Sequence, residues 1–373
     1  MAEHCSACRF FMSGGDCARV LGRVLPQGWC KFFSQEAVQR EYRPIWPMEG
    51  IPAPPGATLS LDFLTTPGTL DPRITFTRAS TATYFNSAGT MQTVSGNTPR
   101  WDYDPVTHAL RGLLIEEART NALLNSATLG NQGVAVTAQT YTLSFYGTGT
   151  ITMSGAFAGT LVGSGAFPGR ATTTFTPAAG TLTCTVTGSV LNAQLEAGSF
   201  ATSYIPTTAA AVTRAQEVCG ITPGNMGFYA SPGGSWELEF VALASSASNT
   251  AGIGQLGVAG SGIPVPMYFD PTLHLDQWDS VGIIGSGNAG TVGAVTKAAT
   301  SVGAATGKVC LNAGAIASGG GFTNGYPALA TSGVGFLAPY TAGDTQNMKA
   351  GYVRRIRYWP RVLSDAEMQQ ATT

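Results

Sequence analysis

Charge is scarce in this chain. Asp, Glu, Lys and Arg make up 11% of its 373 residues, and the net charge is −1. So thin and balanced a distribution gives no long-range pull toward nucleic acid or an anionic membrane surface. Histidine is rarer still: His4, His108 and His274 are the whole set, and none stands in a nucleophile–base arrangement. Gly-x-Ser-x-Gly is missing, which removes a nucleophile elbow. Glycine-rich Gly163-Ser-Gly-Ala and Gly285-Ser-Gly-Asn lack a following Gly-Lys-Ser/Thr, so they read as turns and not as phosphate loops. Long apolar runs are also lacking. The most apolar late stretch, 281–305, is interrupted by glycines, Asn288 and Lys297, and no membrane span is expected. Met1-Ala-Glu-His-Cys5 has neither the basic start nor the apolar run of a secretory leader. Folding in a reducing cytosol is therefore expected, a setting that suits thiolate ligands better than disulfides.

Cysteine is concentrated where it occurs. Four of the seven cysteines fall in one short segment: Cys5-Ser-Ala-Cys8, then Cys17, then Gly28-Trp-Cys30, a C-x2-C-x8-C-x12-C pattern. A C-x2-C turn aims two sulfurs at one centre, and four thiolates suit a tetrahedral zinc or an iron–sulfur cluster. Disulfides are the third option. Phe10, Phe11, Trp29, Phe32 and Phe33 flank the ligands. Such an apolar shell favours the cluster, which needs protection from solvent. Cys184, Cys219 and Cys310 have no metal spacing and read as buried small apolar residues.

The segment from Cys5 to Phe33 resembles the high-potential iron–sulfur protein family, in which a C-x2-C with nearby aromatics leads to a third Cys and then to Gly-Trp-Cys. The resemblance implies a 4Fe–4S cluster held by Cys5, Cys8, Cys17 and Cys30. The Cys8–Cys17 gap is shorter than the family's. Zinc on the same four residues is the alternative.

After this module Ser34–Glu41 reads as a short helix with Ser34 as its cap. Five prolines between Pro44 and Pro55 then predict a stiff, extended linker. From Thr58 the pattern turns to β. Leu59-Ser-Leu-Asp-Phe63 and Ile74-Thr-Phe-Thr77 alternate apolar and polar residues. Further short strands, bounded by Gly, Pro or Ser, recur at 82–85, 140–146, 150–153, 171–175, 181–186 and 190–195, and regular short strands mean a sandwich or barrel. Beyond 213, strands are expected at 235–242, 266–269, 274–278, 308–311 and 349–358. Ser364 and Glu367 form a capping box for a last helix.

Two more resemblances follow. Thr75-Phe-Thr-Arg78-Ala-Ser-Thr-Ala-Thr-Tyr84, Pro99-Arg-Trp-Asp-Tyr103, Gly112-Leu-Leu-Ile-Glu116-Glu-Ala-Arg119-Thr-Asn121 and Gln194-to-Pro206 look like segments of tailed-bacteriophage and prophage structural proteins. The Ser235-Trp-Glu-Leu-Glu-Phe240 strand and the closing Leu363-Ser-Asp-Ala-Glu367 are similar to concanavalin-A-like (laminin-G-like) jelly rolls. The expected protein is mainly β. A small Cys-rich metal-cluster module (1–43) and a Pro-rich linker (44–57) precede two antiparallel β-sandwich (jelly-roll) domains, 58–212 and 213–373.

These resemblances imply a virion protein, a fibre, spike or decoration protein assembled in the bacterial host. Its partners would be other virion proteins, further copies of itself, most naturally a trimer, and a host-surface glycan. Tyr268, Trp278 or Tyr340 would either stack on sugar rings or belong to the core. Arg78, Glu116 and Arg119 read as loop-pinning hydrogen bonders and not as catalysts. An electron carrier using the cluster is one alternative. A polysaccharide hydrolase of concanavalin-A-like fold is the other. It needs a pair of carboxylates across the scissile bond, and Glu237 and Glu239 share a strand without a third acid, as a solvated strand face would.

Overall fold

The computed structural model describes residues 16–17, 20–23, 53–230, 233–244, 250–253, 265–270, 272–278, 283–303, 306–320, 333–337 and 350–373. The chain divides into two compact units, Met1–Ile51 and Pro52–Thr373. Of the first unit, the described part is an antiparallel pair, Asp16–Cys17 with Val20–Arg23. Ser34–Glu41 lies outside the described residues.

The second unit is built of antiparallel sheets. The largest has eight strands and is organised around Ala350–Trp359. One edge of that strand pairs along Gly234–Ala242. The other edge is shared: Ala350–Val353 pairs with Leu110–Glu116, and Arg355–Tyr358 pairs with Leu59–Asp62. Beyond Gly234–Ala242 come Val295–Val302, Thr306–Leu311 and Ala317–Gly320. Trp101–Tyr103 closes the opposite side.

Alternation along Gly234–Ala242 explains its place. Trp236, Leu238, Phe240 and Ala242 enter the main core with Leu59, Leu113, Ile115, Val353 and Ile356. The facing layer is a three-stranded sheet (Ile74–Thr77, Val218–Ile221, Val334–Gly335) and a four-stranded one (Thr250–Ile253, Val265–Phe269, His274–Trp278, Ile283–Ala289). These contribute Cys219, Ile221, Phe269 and Leu275 to the same core. The arrangement is a β-sandwich. On the outer face, Trp359, Leu363, Met368 and Ala371 pack the closing helix, Asp365–Ala371, against the sheet. Ser364 and Glu367 form the expected capping box.

A second sandwich is inserted between Arg119–Asn121 and Val212–Arg214, which pair with each other as its entry and exit. One sheet runs Gln132–Val136, Gly180–Thr187, Thr150–Gly155, Gly159–Val162. The other runs Gly165–Phe175, Tyr141–Gly147, Leu191–Ala197. Leu143, Phe145, Ile151, Leu182 and Leu195 fill the space between them.

Antiparallel β-sandwich architecture is thus as expected, but its distribution along the chain differs from the division at residue 213. Strands from 59–116 lie in one sheet with strands from 234–359, because the amphipathic Leu59–Asp62 and the apolar Leu113 and Ile115 find their partner edge in Ala350–Trp359. The proline-rich stretch also ends earlier than residue 57. Trp359 Nε1 donates to the Pro54 carbonyl at 2.8 Å, and Ala53 and Ala57 pack against the apolar cluster that contains Trp359. Gly285–Asn288 is not a turn. It lies within Ile283–Ala289, where buried Ser286 donates to the Asn288 carbonyl and accepts from the Leu275 amide.

Candidate functional site

Cys5, Cys8 and Cys30 lie outside the described residues, and of Cys17 only its place in the two-residue strand is described. The donor set is four thiolates, which suits either the cluster or zinc. Among the described residues no group of three or more His, Cys, Asp or Glu is placed to hold a metal. Cys184, Cys219 and Cys310 are free and buried, as expected of them. Burial pushes the Cys184 thiol up to about 11 and that of Cys219 higher still.

The phage-like segment converges on one buried cluster, where the two sandwiches meet. Glu217 is its centre. One carboxylate oxygen accepts from Arg78 Nη1 at 3.0 Å and from Arg100 Nη2 at 2.6 Å. The other accepts from the Glu116 amide at 2.9 Å and lies 3.4 Å from Arg214 Nη1. Glu116 accepts in turn from Arg100 Nη2 at 2.8 Å and from both the amide and hydroxyl of Ser203. All five charged side chains are buried.

Burial opposes ionisation of Glu116. Arg214, Arg100 and the Ser203 donors outweigh it, and its pKa falls to about 2. Burial likewise opposes the charge on Arg100, and Glu217 and Glu116 together hold its pKa above the ordinary value. Arg78 also donates to the carbonyls of Ser80, Ser95 and Thr98, pinning the loop that carries it. Arg119 lies outside this cluster. It pairs with Glu117 at 2.6 Å and lies over the Phe200 ring. Structural roles for Arg78, Glu116 and Arg119 agree with the sequence reading, whereas Arg100, Arg214 and Glu217 were not singled out by it.

A pocket of about 280 Å³, lined by polar and apolar side chains together, opens beside this cluster, between the inserted sandwich and the large sheet. Asp102 is buried in it, accepting from the Tyr352 hydroxyl at 2.8 Å and the Phe85 amide at 2.7 Å. Burial pushes the Asp102 carboxyl and the Tyr352 phenol up. Arg111 spans Tyr352 (3.2 Å), Asp102 (3.5 Å) and Asp104 (2.8 Å). From the inserted sandwich comes Arg170, which donates to the Thr202 carbonyl and the Ser144 hydroxyl and lies over the Tyr146 ring. Phe167 packs on Phe85 and Tyr146 and is 46% exposed.

The residues weighed for hydrolysis are occupied otherwise. Glu237 and Glu239 are buried, correcting the expectation of a solvated face. They sit directly opposite Arg357 and Arg355 in the neighbouring strand and pair with them at 2.9 Å each. Arg354 adds a second contact to Glu239, and Asp62 continues the row from Arg355. Such cross-strand rows stabilise sheets. His274 joins Asp270 and Thr272 in a turn. His4 and Tyr340 lie outside the described residues, as do the side chains of Tyr268 and Trp278.

No family model matches the chain, and no curated protein matches it. Solved structures similar to part of it include the sialidase of Trypanosoma rangeli in complex with the inhibitor DANA, at 12% identity and a TM-score of 0.32 over 41% of this chain. The chain covers 25% of that sialidase. Another is the CBM40 of the Ruminococcus gnavus IT-sialidase bound to alpha2,3 sialyllactose, at 14% identity and a TM-score of 0.33, over 41% of this chain and 92% of that one.

Proposed function

We propose that this chain is a structural protein of a tailed-bacteriophage particle, a fibre, spike or decoration protein that also contacts host-surface glycans. The observation that carries the reading is where the phage-like segment lies. Its Arg78, Arg100 and Glu116 form the buried cluster with Glu217, and Arg100 and Glu116 bond from it to Ser203 of the inserted sandwich. A charge cluster with this many bonds fixes geometry more than it adds stability, and a projecting virion component needs a fixed geometry.

The N-terminal module, with a 4Fe–4S cluster on Cys5, Cys8, Cys17 and Cys30, is the docking element on the particle. The main sandwich is of concanavalin-A-like type, and the assembled form is a trimer. Arginine pairing of Glu237 and Glu239 speaks against the hydrolase alternative. An electron carrier would leave both sandwiches without a task.

A mass-spectrometric inventory of purified particles tests the reading. The chain should be present in stoichiometric amount, and a chain lacking residues 1–43 should fold but fail to be incorporated. Particles free of the protein overturn the virion assignment. Particles that incorporate the truncated chain overturn the docking role alone.

A further inference from the structure

We propose that a second pocket, between the hairpin of Ala82–Phe85 with Met91–Val94 and the strand Trp101–Tyr103, binds one neutral pyranose ring of a surface polysaccharide against Tyr84, Trp101 and Tyr103. The inference rests on the host-contact part of the function proposed above. It moves that contact from Tyr268, Trp278 or Tyr340 to the edge of the large sheet formed by Trp101–Tyr103.

The pocket measures about 380 Å³, enough for one ring with its substituents. Three of its ten lining residues are aromatic, against 9% of the whole chain, so rings are concentrated where a ligand would lie. Trp101 belongs to the main core and Tyr103 packs against it, and their strand pairs with Leu110–Glu116. The aromatic wall is therefore set before anything binds, and it suits the apolar C–H face of a pyranose. Hydrogen-bonding groups line the same pocket. Asn86 Oδ1 accepts from the amides of Ala88 and Thr90. Those two donors fix which end of the side-chain amide is oxygen. The nitrogen, with its two N–H groups, has no partner among the described residues. The hydroxyls of Tyr84, Ser87 and Tyr103 likewise bond no described residue. Each can donate and accept, as the hydroxyls of a sugar do.

Charge argues for a neutral ring and against a phosphate. None of the described residues that line this pocket is charged. The pocket beside the charge cluster differs, because its polar groups are spent on the protein. There Arg111 is paired with Asp102 and Asp104, and Arg170 is held by Thr202 and Ser144. A proline-rich peptide also lies well on aromatic rings, but its prolines bring acceptors without donors, and this pocket offers groups for both.

Ligand-observed NMR on the full chain tests this, using the methyl glycosides of glucose, galactose, N-acetylglucosamine and rhamnose, with inorganic phosphate and hexaproline as controls. At least one glycoside should show saturation transfer, and raising salt from about 50 to about 500 mM should leave its affinity unchanged. Asn86→Asp keeps the acceptor that the Ala88 and Thr90 amides use and removes the free donor. It should keep the melting temperature while weakening binding roughly tenfold. Ser87 is exposed, so Ser87→Trp should fill the pocket and abolish binding, again with the melting temperature kept. No saturation transfer to any glycoside, or displacement of a bound one by phosphate, overturns the inference. Transfer to hexaproline alone also overturns it and assigns the pocket to a peptide. Unchanged affinity in either variant overturns it too, but leaves glycan contact standing at another surface. Particle incorporation is read separately, so failure of the virion reading stays distinguishable.

Discussion

Arg100 Nη2 lies 2.6 Å from Glu217 Oε1, a contact between residues 117 positions apart in which neither side chain is exposed. Arg78 shares the same oxygen, and Glu116 and Arg214 complete the group. Three guanidiniums around two carboxylates leave the cluster dependent on each acid. Glu217→Gln keeps the shape and removes the charge, so Arg78 and Arg100 face each other without their shared counter-ion. Breaking a buried group in this way is expected to cost about 3–5 kcal/mol. Arg73→Ala removes a partly exposed pair with Asp71 and should cost less than about 1 kcal/mol. Urea unfolding of the two variants beside the parent checks both values. A small loss in Glu217→Gln would mean that water takes over the vacated bonds.

Acid should act through Glu116. Its folded pKa of about 2 lies below its ordinary value of 4.5. A carboxylate depressed on folding stabilises the protein above its unfolded pKa, and that contribution is lost as pH falls from about 4.5 to about 2. The gap corresponds to about 3 kcal/mol. Asp102 and Glu237, whose pKa values burial raises, run the other way. Their contribution grows as pH falls and is complete once the ordinary carboxylate range is reached. Melting temperature should therefore be level or slightly rising down to about pH 4.5 and then drop. Glu116→Gln should begin from a lower melting temperature and show a shallower acid limb, which thermal melts across pH 2.5–7 would reveal.

Gly112 has φ +134°, and a Cβ there would lie 2.5 Å from the Val353 carbonyl oxygen in the paired strand. Gly112→Ala combines backbone strain with a clash that no side-chain rotation relieves. The expected loss is about 2 kcal/mol or more. Gly224→Ala, with open space and no positive φ, is the control and should stay within about 0.5 kcal/mol. Equal unfolding midpoints for the two variants would refute the close approach at Gly112.

Local chemistry was legible in the sequence where the partner is near. The alternation in Leu59–Asp62, the capping box at Ser364 and Glu367, and the burial of Cys184, Cys219 and Cys310 all follow from short-range pattern. What depends on distant partners was not. Glu237 and Glu239 look solvated until Arg355 and Arg357 are placed opposite them, more than 100 residues away. Val295–Val302 carries no clear alternation, because Thr296, Thr300 and Ser301 are buried where larger apolar residues usually sit. The pocket was hidden for the same reason: Asp102, Arg111, Arg170 and Tyr352 come from three separate parts of the chain.

Cys5, Cys8, Cys17 and Cys30 are expected to carry iron. The unit to which they belong, Met1–Ile51, is short, and small units commonly draw folding energy from a bound centre. Four thiolates flanked by five aromatic residues suit a 4Fe–4S cluster. Protein isolated without oxygen should be brown and hold about four irons and four acid-labile sulfides per chain. Stoichiometric zinc with no sulfide would assign the same ligands to a zinc centre instead. Cys17→Ser should release the metal and unfold the first unit. The second unit should keep its melting transition, because it begins at Pro52 and holds its own first residues through Trp359 and the Pro54 carbonyl. Loss of both transitions in Cys17→Ser would show that the two units fold together, and the metal would then stabilise the whole chain.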